Sequence, residues 1–166
     1  MAHVLYPGDE QYENRTLSYW SVSAQLTPYC VVQPRSTEEV SKAITTLVGN
    51  VLCKDTKFAI RSGGHTTWSG SNNIEDGVTI DLGLMNTTTL DPDTSIASIQ
   101  PGSRWGQVYG TLEPLGFTVA GGRAASVGVA GFLTGGRLLL HICYLFIADA
   151  SRRKFVLQRS TRLRLR

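Results

Sequence analysis

The sequence is short of the residues that mark a metal centre, a disulfide framework or a membrane span. It contains three cysteines and three histidines, and Cys30, Cys53 and Cys143 are too widely spaced for a metal-binding pattern, which leaves at most one disulfide. The N-terminus lacks a basic start followed by an apolar run, so no signal peptide is expected. The apolar run at 138–147 is too short for the ~20 residues of a membrane-spanning helix. We therefore predict no metal site and no transmembrane span.

Glycine and acidic residues are nearly absent from the C-terminal part of the chain. Residues 1–136 hold 8 Lys and Arg, 12 Asp and Glu and all 17 glycines, whereas residues 137–166 hold 8 basic residues and 1 acidic residue. With 42% hydrophobic and 17% charged residues overall, the 166-residue chain has the composition of one globular domain that can bury a core. The two parts differ so sharply that we interpret them separately.

Short β-type runs alternate with helical patterns, which predicts an α+β or mixed α/β fold. The runs lie at 29–34, 57–60, 78–82 and 96–100. Residues 1–28 show no sustained period and are expected to form an extended lead-in, and residues 86–93 are expected to form a turn. No strand is followed by a Gly-x-Gly-x-x-Gly stretch that opens a helix, which disfavours a nicotinamide-binding Rossmann fold.

Two helices are predicted from capping residues and apolar spacing. Ser36 and Glu39 have the spacing of a capping box at the start of the first helix, and the second helix covers 104–115. The inward residues of the second helix are Trp105, Val108, Tyr109 and Leu112. The apolar face of the first helix consists of Val40, Ala43, Ile44, Leu47, Val48 and Val51.

Paired glycines end one predicted strand in the segment Arg61-Ser62-Gly63-Gly64-His65. Consecutive glycines allow left-handed torsions and let backbone amides approach an anion, as in loops that hold a diphosphate. A phosphate loop does not require an imidazole, and a neutral imidazole is a competent nucleophile near neutral pH, so His65 indicates additional chemistry. Arg61 could balance the charge of a diphosphate. Taken alone, the segment is more commonly a glycine turn beside a surface histidine.

A second glycine-rich stretch covers residues 120–136, with six glycines in seventeen residues. This density argues against a stable helix or strand, because each interior glycine is roughly 0.5–1 kcal/mol less favourable than alanine. A flexible linker is the plain alternative, but Val127, Val129, Phe132 and Leu133 are apolar residues that a linker would not carry. We therefore expect a loop whose backbone approaches a ligand closely.

Both stretches resemble loops of one family. The string from Ile60 to Ser71 resembles the flavin-attachment loop of the vanillyl-alcohol-oxidase/PCMH superfamily, and residues 120–136 resemble its second flavin loop, of the form Val-Gly-Val-Gly-Gly, with Ala130 replacing one glycine. Within the superfamily, the likeness is closest to berberine-bridge-enzyme-like FAD-linked oxidoreductases, and it covers residues 29–136. It implies a PCMH-type FAD-binding domain of two small α/β subdomains, without the C-terminal substrate domain, preceded by a lead-in at 1–28 and followed by an off-family tail at 137–166.

The resemblance also implies roles for individual residues. His65 would bond covalently to the 8α-methyl of the FAD isoalloxazine, while amides of the first loop bind the diphosphate. Some members form a second bond from a cysteine to flavin C6, but Ala124 stands at that position, so a single link is expected. The residues assigned to FAD binding are Arg61, Ser62, Gly63, Gly64, His65, Thr66, Gly70, Gly102, Gly121, Gly122, Ser126, Gly128 and Gly131.

The activity implied by the resemblance is oxidation of an alcohol, a sugar or an activated C–H bond by hydride transfer to FAD, which O₂ usually reoxidises. The catalytic base and the pocket for the small-molecule substrate lie mainly in the substrate domain, so no catalytic residue is identifiable in this chain. Members are often secreted, which leaves the compartment open.

Two alternatives accompany this interpretation. The chain is either the FAD-binding half of such an enzyme or a truncated, non-catalytic remnant whose loops no longer hold flavin. A weaker alternative is a nucleic-acid or membrane-surface binder that uses the basic tail. We rank it below a tail that derives from an intron or a shifted reading frame, and we expect no nucleic-acid partner.

Overall fold

A mixed four-stranded sheet organises the first half of the chain. The computed structural model describes residues 2–50, 53 and 55–135, and the backbone of residues 154–156 and 158–159. The strand order is β1-β2-β4-β3, in which β1 is antiparallel to β2 and the remaining pairs are parallel. The strands are β1 (His3–Leu5), β2 (Cys30–Gln33), β3 (Phe58–Arg61) and β4 (Val78–Asp81).

The N-terminal segment is structured, so the expectation of an extended lead-in is wrong. Strand β1 joins the first sheet, and residues Glu10–Leu17 form helix α1. Tyr12 is the buried residue of α1, packs with Leu5 and Val31, and donates its hydroxyl to the Pro28 carbonyl at 2.6 Å. A helix anchored by one aromatic side chain has no apolar stripe for periodicity to detect.

Helix α2 (Thr37–Gly49) begins at the predicted cap. The Glu39 amide donates to Ser36 Oγ at 3.3 Å, and the Glu39 carboxylate accepts from the Arg35 amide at 2.9 Å. The predicted apolar face is covered less than expected, because no α2 residue is buried and Val48 is 69% exposed. The last predicted residue of that face, Val51, lies outside the described residues.

The second half of the chain contains two smaller antiparallel sheets and helix α3 (Trp105–Leu112), which confirms the helix predicted there. The sheet order β5-β6-β8 includes a strand where residues 86–93 were expected to form a turn. The pattern of apolar residues did not predict this strand, because Leu90 is its one apolar residue and the others are Thr88, Thr89 and Asp91. The strands are β5 (Thr88–Asp91), β6 (Ile96–Ile99), β7 (Phe117–Thr118), β8 (Lys154–Val156) and β9 (Gln158–Arg159).

A compact apolar core joins α3 to β6 and to the second glycine-rich stretch. Its buried members are Ala97, Ile99, Trp105, Val108, Leu112, Val119 and Val129. The overall arrangement is the predicted mixture of α and β elements, with separate buried clusters in the two halves. Of the predicted tail, the described residues are strands β8 and β9, which pair with β6 and β7.

The described part of the chain has free cysteines at Cys30 and Cys53, while Cys143 lies outside it. None of the described helices is long and apolar enough to cross a membrane. In the same part, no group of three or more His, Cys, Asp or Glu side chains is placed to hold a metal ion.

Candidate functional site

A cavity of about 820 Å³ opens between the two glycine-rich stretches. One wall is the segment Ser62–Thr66, which follows β3, and the opposite wall comes from residues 122–135. Ligand pockets commonly have volumes of about 300–1,000 Å³. The two stretches that the sequence singled out therefore line one cavity of the size expected for an organic ligand.

The two stretches meet through a pair of glycines. A Cβ atom at Gly63 would collide with the backbone of Gly128, and a Cβ atom at Gly128 would collide with the backbone of Gly63. The first stretch is also fixed by Ser62, whose hydroxyl donates to the Pro101 carbonyl at 2.6 Å. A side chain at either position would push the two cavity walls apart, so both positions require glycine.

The first wall contains a run of four consecutive backbone hydrogen-bond donors. Within the described residues, the backbone N–H groups of Gly63, Gly64, His65 and Thr66 have no hydrogen-bond acceptor. Gly64 has a φ of 66°, a left-handed conformation that favours glycine. Successive amides with a left-handed residue form an anion-binding concavity. This wall is therefore suited to an anionic group such as a phosphate or diphosphate.

The second wall is fastened to the start of α3 by backbone hydrogen bonds. The Trp105 amide donates to Val127 at 3.1 Å, and the Val129 amide donates to Ser103 at 2.9 Å. Gly121 and Gly122 lie directly against the Trp105 indole, where a Cβ at either position would overlap the ring. These glycines therefore let the chain pass over a buried tryptophan.

Part of the second stretch is helical, so the expectation that its glycines exclude a helix is wrong for α4 (Val129–Thr134). Gly128 and Gly135 occupy the N-cap and C-cap positions of α4, where glycine costs little. Gly131 is the interior glycine of this six-residue helix, and a Cβ atom there would meet no atom within 4 Å. The number of glycines in the stretch does not show that two of them lie at the ends of a helix.

Two residues outside the first stretch hold the His65 imidazole. The ring stacks on the Trp20 indole, with ring centroids 4.8 Å apart and an interplanar angle of 17°. Its Nε2 lies 3.1 Å from Ser126 Oγ in the second stretch. The Trp20 amide also donates to the Gly64 carbonyl at 3.1 Å. Trp20 was not predicted as a site residue, because nothing local relates it to a histidine 45 positions further along the chain.

Arg61 lies beneath the cavity wall instead of facing the cavity. Its side chain is 1% exposed and donates to the Arg15 carbonyl at 2.7 Å and to Ser18 Oγ at 2.9 Å. Burial lowers the pKa of its guanidinium, although arginine stays protonated in proteins. Arg61 therefore has a structural role between α1 and the first stretch, and its charge lies behind Gly64 without lining the cavity.

The remaining predicted residues divide between those that line the cavity and those that do not. Ser126 contacts His65 from beside the cavity, and Gly102 packs against the Leu82 carbonyl. Gly70 has a φ of 81° and faces open space. The predicted residues that line the cavity are Ser62, Gly63, Gly64, His65, Thr66, Gly122, Gly128 and Gly131; those that do not are Arg61, Gly70, Gly102, Gly121 and Ser126.

A buried ion pair next to the site was not apparent from the sequence. Asp81 is fully buried at the end of β4 and accepts two hydrogen bonds from the Arg15 guanidinium, at 2.7 and 2.8 Å. It also accepts from Gln33 Nε2 and from the Gly83 amide, each at 3.0 Å. These contacts join α1 to the ends of the central strands, beside the point where the first stretch begins.

Tyr19 provides a test of how the N-terminal segment packs under the site. Burial raises its pKa to about 12, and the Arg61 guanidinium, 3.8 Å above the ring, partly opposes the shift. Since the ordinary pKa is 10.0, unfolding is favoured as the pH rises, and the stability present below pH 10 is lost between about pH 10 and 12. We expect this loss to be on the order of 2 kcal/mol, measured by urea denaturation across that range.

The matched variant for this measurement is Tyr19→Phe, which keeps the ring and removes the ionising hydroxyl. Its stability should fall less steeply than that of the wild type above pH 10. The difference between the two proteins isolates Tyr19 from Tyr12 and Tyr109, whose pKa values are also raised, chiefly by burial. Parallel curves for the two proteins would contradict the burial of an ionisable hydroxyl at this position.

Comparison with known proteins identifies the family of the chain. The family described as FAD binding domain matches residues 28–138. The chain thus belongs to this FAD-binding family, within the PCMH-type, berberine-bridge-enzyme-like FAD-linked oxidoreductases. FAD is the cofactor of the family, and the cavity between the two glycine-rich stretches is lined by residues that all lie within the matched range.

Among curated relatives, the FAD-dependent monooxygenase sdcF of Emericella nidulans is 50% identical over 148 residues, which are 89% of this chain and 30% of that protein. Among solved structures, the 6-hydroxy-D-nicotine oxidase of Arthrobacter nicotinovorans has a TM-score of 0.69 and 25% identity, over 79% of this chain and 28% of the oxidase. A glucooligosaccharide oxidase of Acremonium strictum, described as carrying 6-S-cysteinyl, 8α-N1-histidyl FAD, has a TM-score of 0.67 and 23% identity, over 78% and 26% of the respective chains. The chain spans about 30% of the length of these relatives.

Proposed function

We propose that the chain is the FAD-binding half of an oxidoreductase and that it holds the flavin between its two glycine-rich stretches, with a single covalent link through His65. One observation carries this proposal: four successive backbone N–H groups, 63–66, find no acceptor among the described residues and belong to a cavity wall that also carries His65. An anion cradle and a nucleophilic imidazole on one wall suit a cofactor that has both a diphosphate and an electrophilic ring system.

The donor set fits the diphosphate of FAD better than a metal ion or a neutral ligand. Backbone amides offer hydrogen bonds to oxygen anions without adding a side-chain charge that would need its own counterion. The buried Arg61 guanidinium contributes positive charge below the same segment, with Gly64 between it and the cavity. The segment requires glycine at position 64, because its φ of 66° is left-handed and an added Cβ would press against the Arg61 guanidinium and the Tyr19 ring.

The link is proposed to be single because the second wall offers no nucleophile at the relevant place. Ala124 lines the cavity, and its methyl group cannot form a thioether. The Acremonium oxidase described above carries both a cysteinyl and a histidyl link. This chain therefore corresponds to a singly attached form, with His65 as the attachment residue.

Bound FAD would accept a hydride from an alcohol, a sugar or an activated C–H bond of a small molecule, with O₂ as the final oxidant. The residues of this chain bind and orient the flavin and keep the two walls together, and we assign no proton-transfer step to any of them. This chain spans about 30% of the length of its relative sdcF, and we propose that the substrate pocket and the base are supplied by sequence other than this chain.

Acid precipitation of the purified chain after incubation with FAD tests the proposed link. Yellow colour should remain with the wild-type precipitate, and His65→Ala should release its flavin into the supernatant with at least a tenfold loss of retained colour. His3→Ala is the matched control, because His3 lies in β1, away from the cavity, and it should retain flavin like the wild type. A wild-type chain that stays colourless would instead support the non-catalytic remnant.

A further inference from the structure

The stacked pair of Trp20 and His65 is the feature of the site that the proposed function leaves unexplained. Trp20 is a large apolar residue that is 62% exposed, so it contributes little to the core. It nevertheless lies flat against the imidazole, at an interplanar angle of 17°, and its amide is bonded to the Gly64 carbonyl. We propose that Trp20 is a positioning residue for the His65 imidazole; this inference rests on the proposed covalent link.

The imidazole is constrained in two independent ways. The indole face fixes the plane of the ring, because a stacked pair loses contact area when either ring rotates. Ser126 fixes the rotation within that plane by its contact with Nε2 at 3.1 Å. Ser126 is itself held, because its carbonyl accepts a hydrogen bond from the Arg104 guanidinium.

These two constraints leave one nitrogen of the ring available. Among the described residues, Nδ1 of His65 has no hydrogen-bond partner. When Nε2–H donates to Ser126 Oγ, the Nδ1 lone pair is free for reaction. The geometry thus presents Nδ1 in a fixed plane, and ordering the nucleophile in advance accelerates any bond formation that requires a particular approach.

Trp20 is connected to the site by two separable contacts. The backbone hydrogen bond to Gly64 is retained when the side chain is shortened, whereas the ring contact with His65 is lost. Trp20→Ala therefore removes the stacking partner and leaves the segment tethered. Because the side chain is mostly exposed, we expect the variant to fold normally.

The test compares wild type, Trp20→Ala, Trp20→Phe and Trp68→Ala. Trp68 is the control, since it is 77% exposed, lies three residues after His65 and shows no ring contact among the described residues. The rate of covalent FAD attachment, followed by acid-stable colour over time, should fall roughly three- to tenfold in Trp20→Ala. Trp20→Phe should recover most of this rate, and Trp68→Ala should match the wild type.

A second readout uses the flavin-free chain and does not depend on the proposed link. In NMR spectra, the ring protons of His65, assigned with His65→Ala, should be shifted upfield by the indole and should move downfield in Trp20→Ala. Long-range nitrogen correlations should show the Nε2–H tautomer. If the His65 signals are the same in wild type and Trp20→Ala, the stacking does not exist in solution and the inference is wrong.

The outcomes separate this inference from the proposed function. Normal flavin attachment in Trp20→Ala, with the wild type labelled through His65, overturns the positioning role alone. A wild type that never retains flavin overturns the covalent link, and the NMR comparison of the flavin-free wild type and Trp20→Ala then decides by itself whether Trp20 positions the imidazole. A shifted His65 signal together with slowed attachment, recovered in Trp20→Phe, supports both.

Discussion

Gly128→Ala should destabilise the protein and abolish flavin retention, whereas Gly131→Ala should fold at least as well as the wild type and lose only flavin affinity. At Gly128, the added Cβ meets the backbone of Gly63, which cannot move aside without separating the two walls of the cavity. Overpacking of this kind typically costs about 1–3 kcal/mol. At Gly131, the added Cβ meets nothing within 4 Å and replaces an interior helical glycine, a change that favours the helix by about 0.5–1 kcal/mol.

Urea denaturation and FAD titration of the two variants measure these effects separately. The urea midpoint should fall for Gly128→Ala and remain or rise for Gly131→Ala. Because Gly131 lines the cavity, its new methyl group should weaken FAD binding by about tenfold or more, as expected when a ligand occupies the space. Equal loss of stability in both variants would contradict the direct contact between Gly63 and Gly128. Wild-type FAD affinity in Gly131→Ala would show that the ligand does not reach this wall.

The two walls of the cavity could be predicted because each lies within one short segment of sequence. A strand followed by paired glycines and His65 identifies one wall within a few residues, and the cluster of glycines from 120 to 136 identifies the other. Their likeness to two flavin loops in the correct order then gave the family, which the match over residues 28–138 confirms. These segments could be recognised because a requirement for glycine is visible in the residue type itself.

The parts that escaped prediction depend on contacts between distant segments. Trp20 reaches His65 across 45 residues, and Arg15 reaches Asp81 across 66 residues, with no local pattern to relate either pair. The placement of Arg61 was not apparent either, since its side chain bonds to the Arg15 carbonyl in α1 and does not line the cavity. Successive side chains of a strand point to opposite faces of the sheet, and a prediction based only on the type of residue does not take that face into account.

Glycine counts misled in a further way. The predicted absence of helix in residues 120–136 treated every glycine as interior, whereas Gly128 and Gly135 cap α4 and Gly121 and Gly122 pass over Trp105. Each of these glycines meets a different steric demand, and most of these demands come from the protein and not from the ligand. The glycines of this stretch therefore serve the folding of the second wall as well as its proposed binding of a ligand.

Asp81→Asn should produce the largest loss of stability away from the cavity. It removes the charge from a fully buried carboxylate and leaves the Arg15 guanidinium facing a neutral amide, while the bonds from Gln33 and the Gly83 amide are weakened. Breaking a buried ion pair by removing one partner costs about 3–5 kcal/mol. We expect a value near the lower limit, because the Arg15 side chain is 29% exposed and water partly compensates its charge. Urea denaturation at neutral pH measures the loss.

We expect Asp81→Asn also to weaken flavin binding. The ion pair with Asp81 holds α1 in place, and the Arg15 carbonyl in the last turn of α1 accepts a hydrogen bond from the Arg61 guanidinium. Loosening α1 also frees the following segment, which carries Trp20 to the imidazole. Asp93→Asn is the matched control, since Asp93 is exposed and its change should stay within about 0.5 kcal/mol. In the double variant with Arg15→Met the total loss should be smaller than the sum of the single losses, as for residues in direct contact. Additive losses, or equal effects of Asp81→Asn and Asp93→Asn, would show that α1 is held by other contacts and that the ion pair does not support the flavin-binding wall.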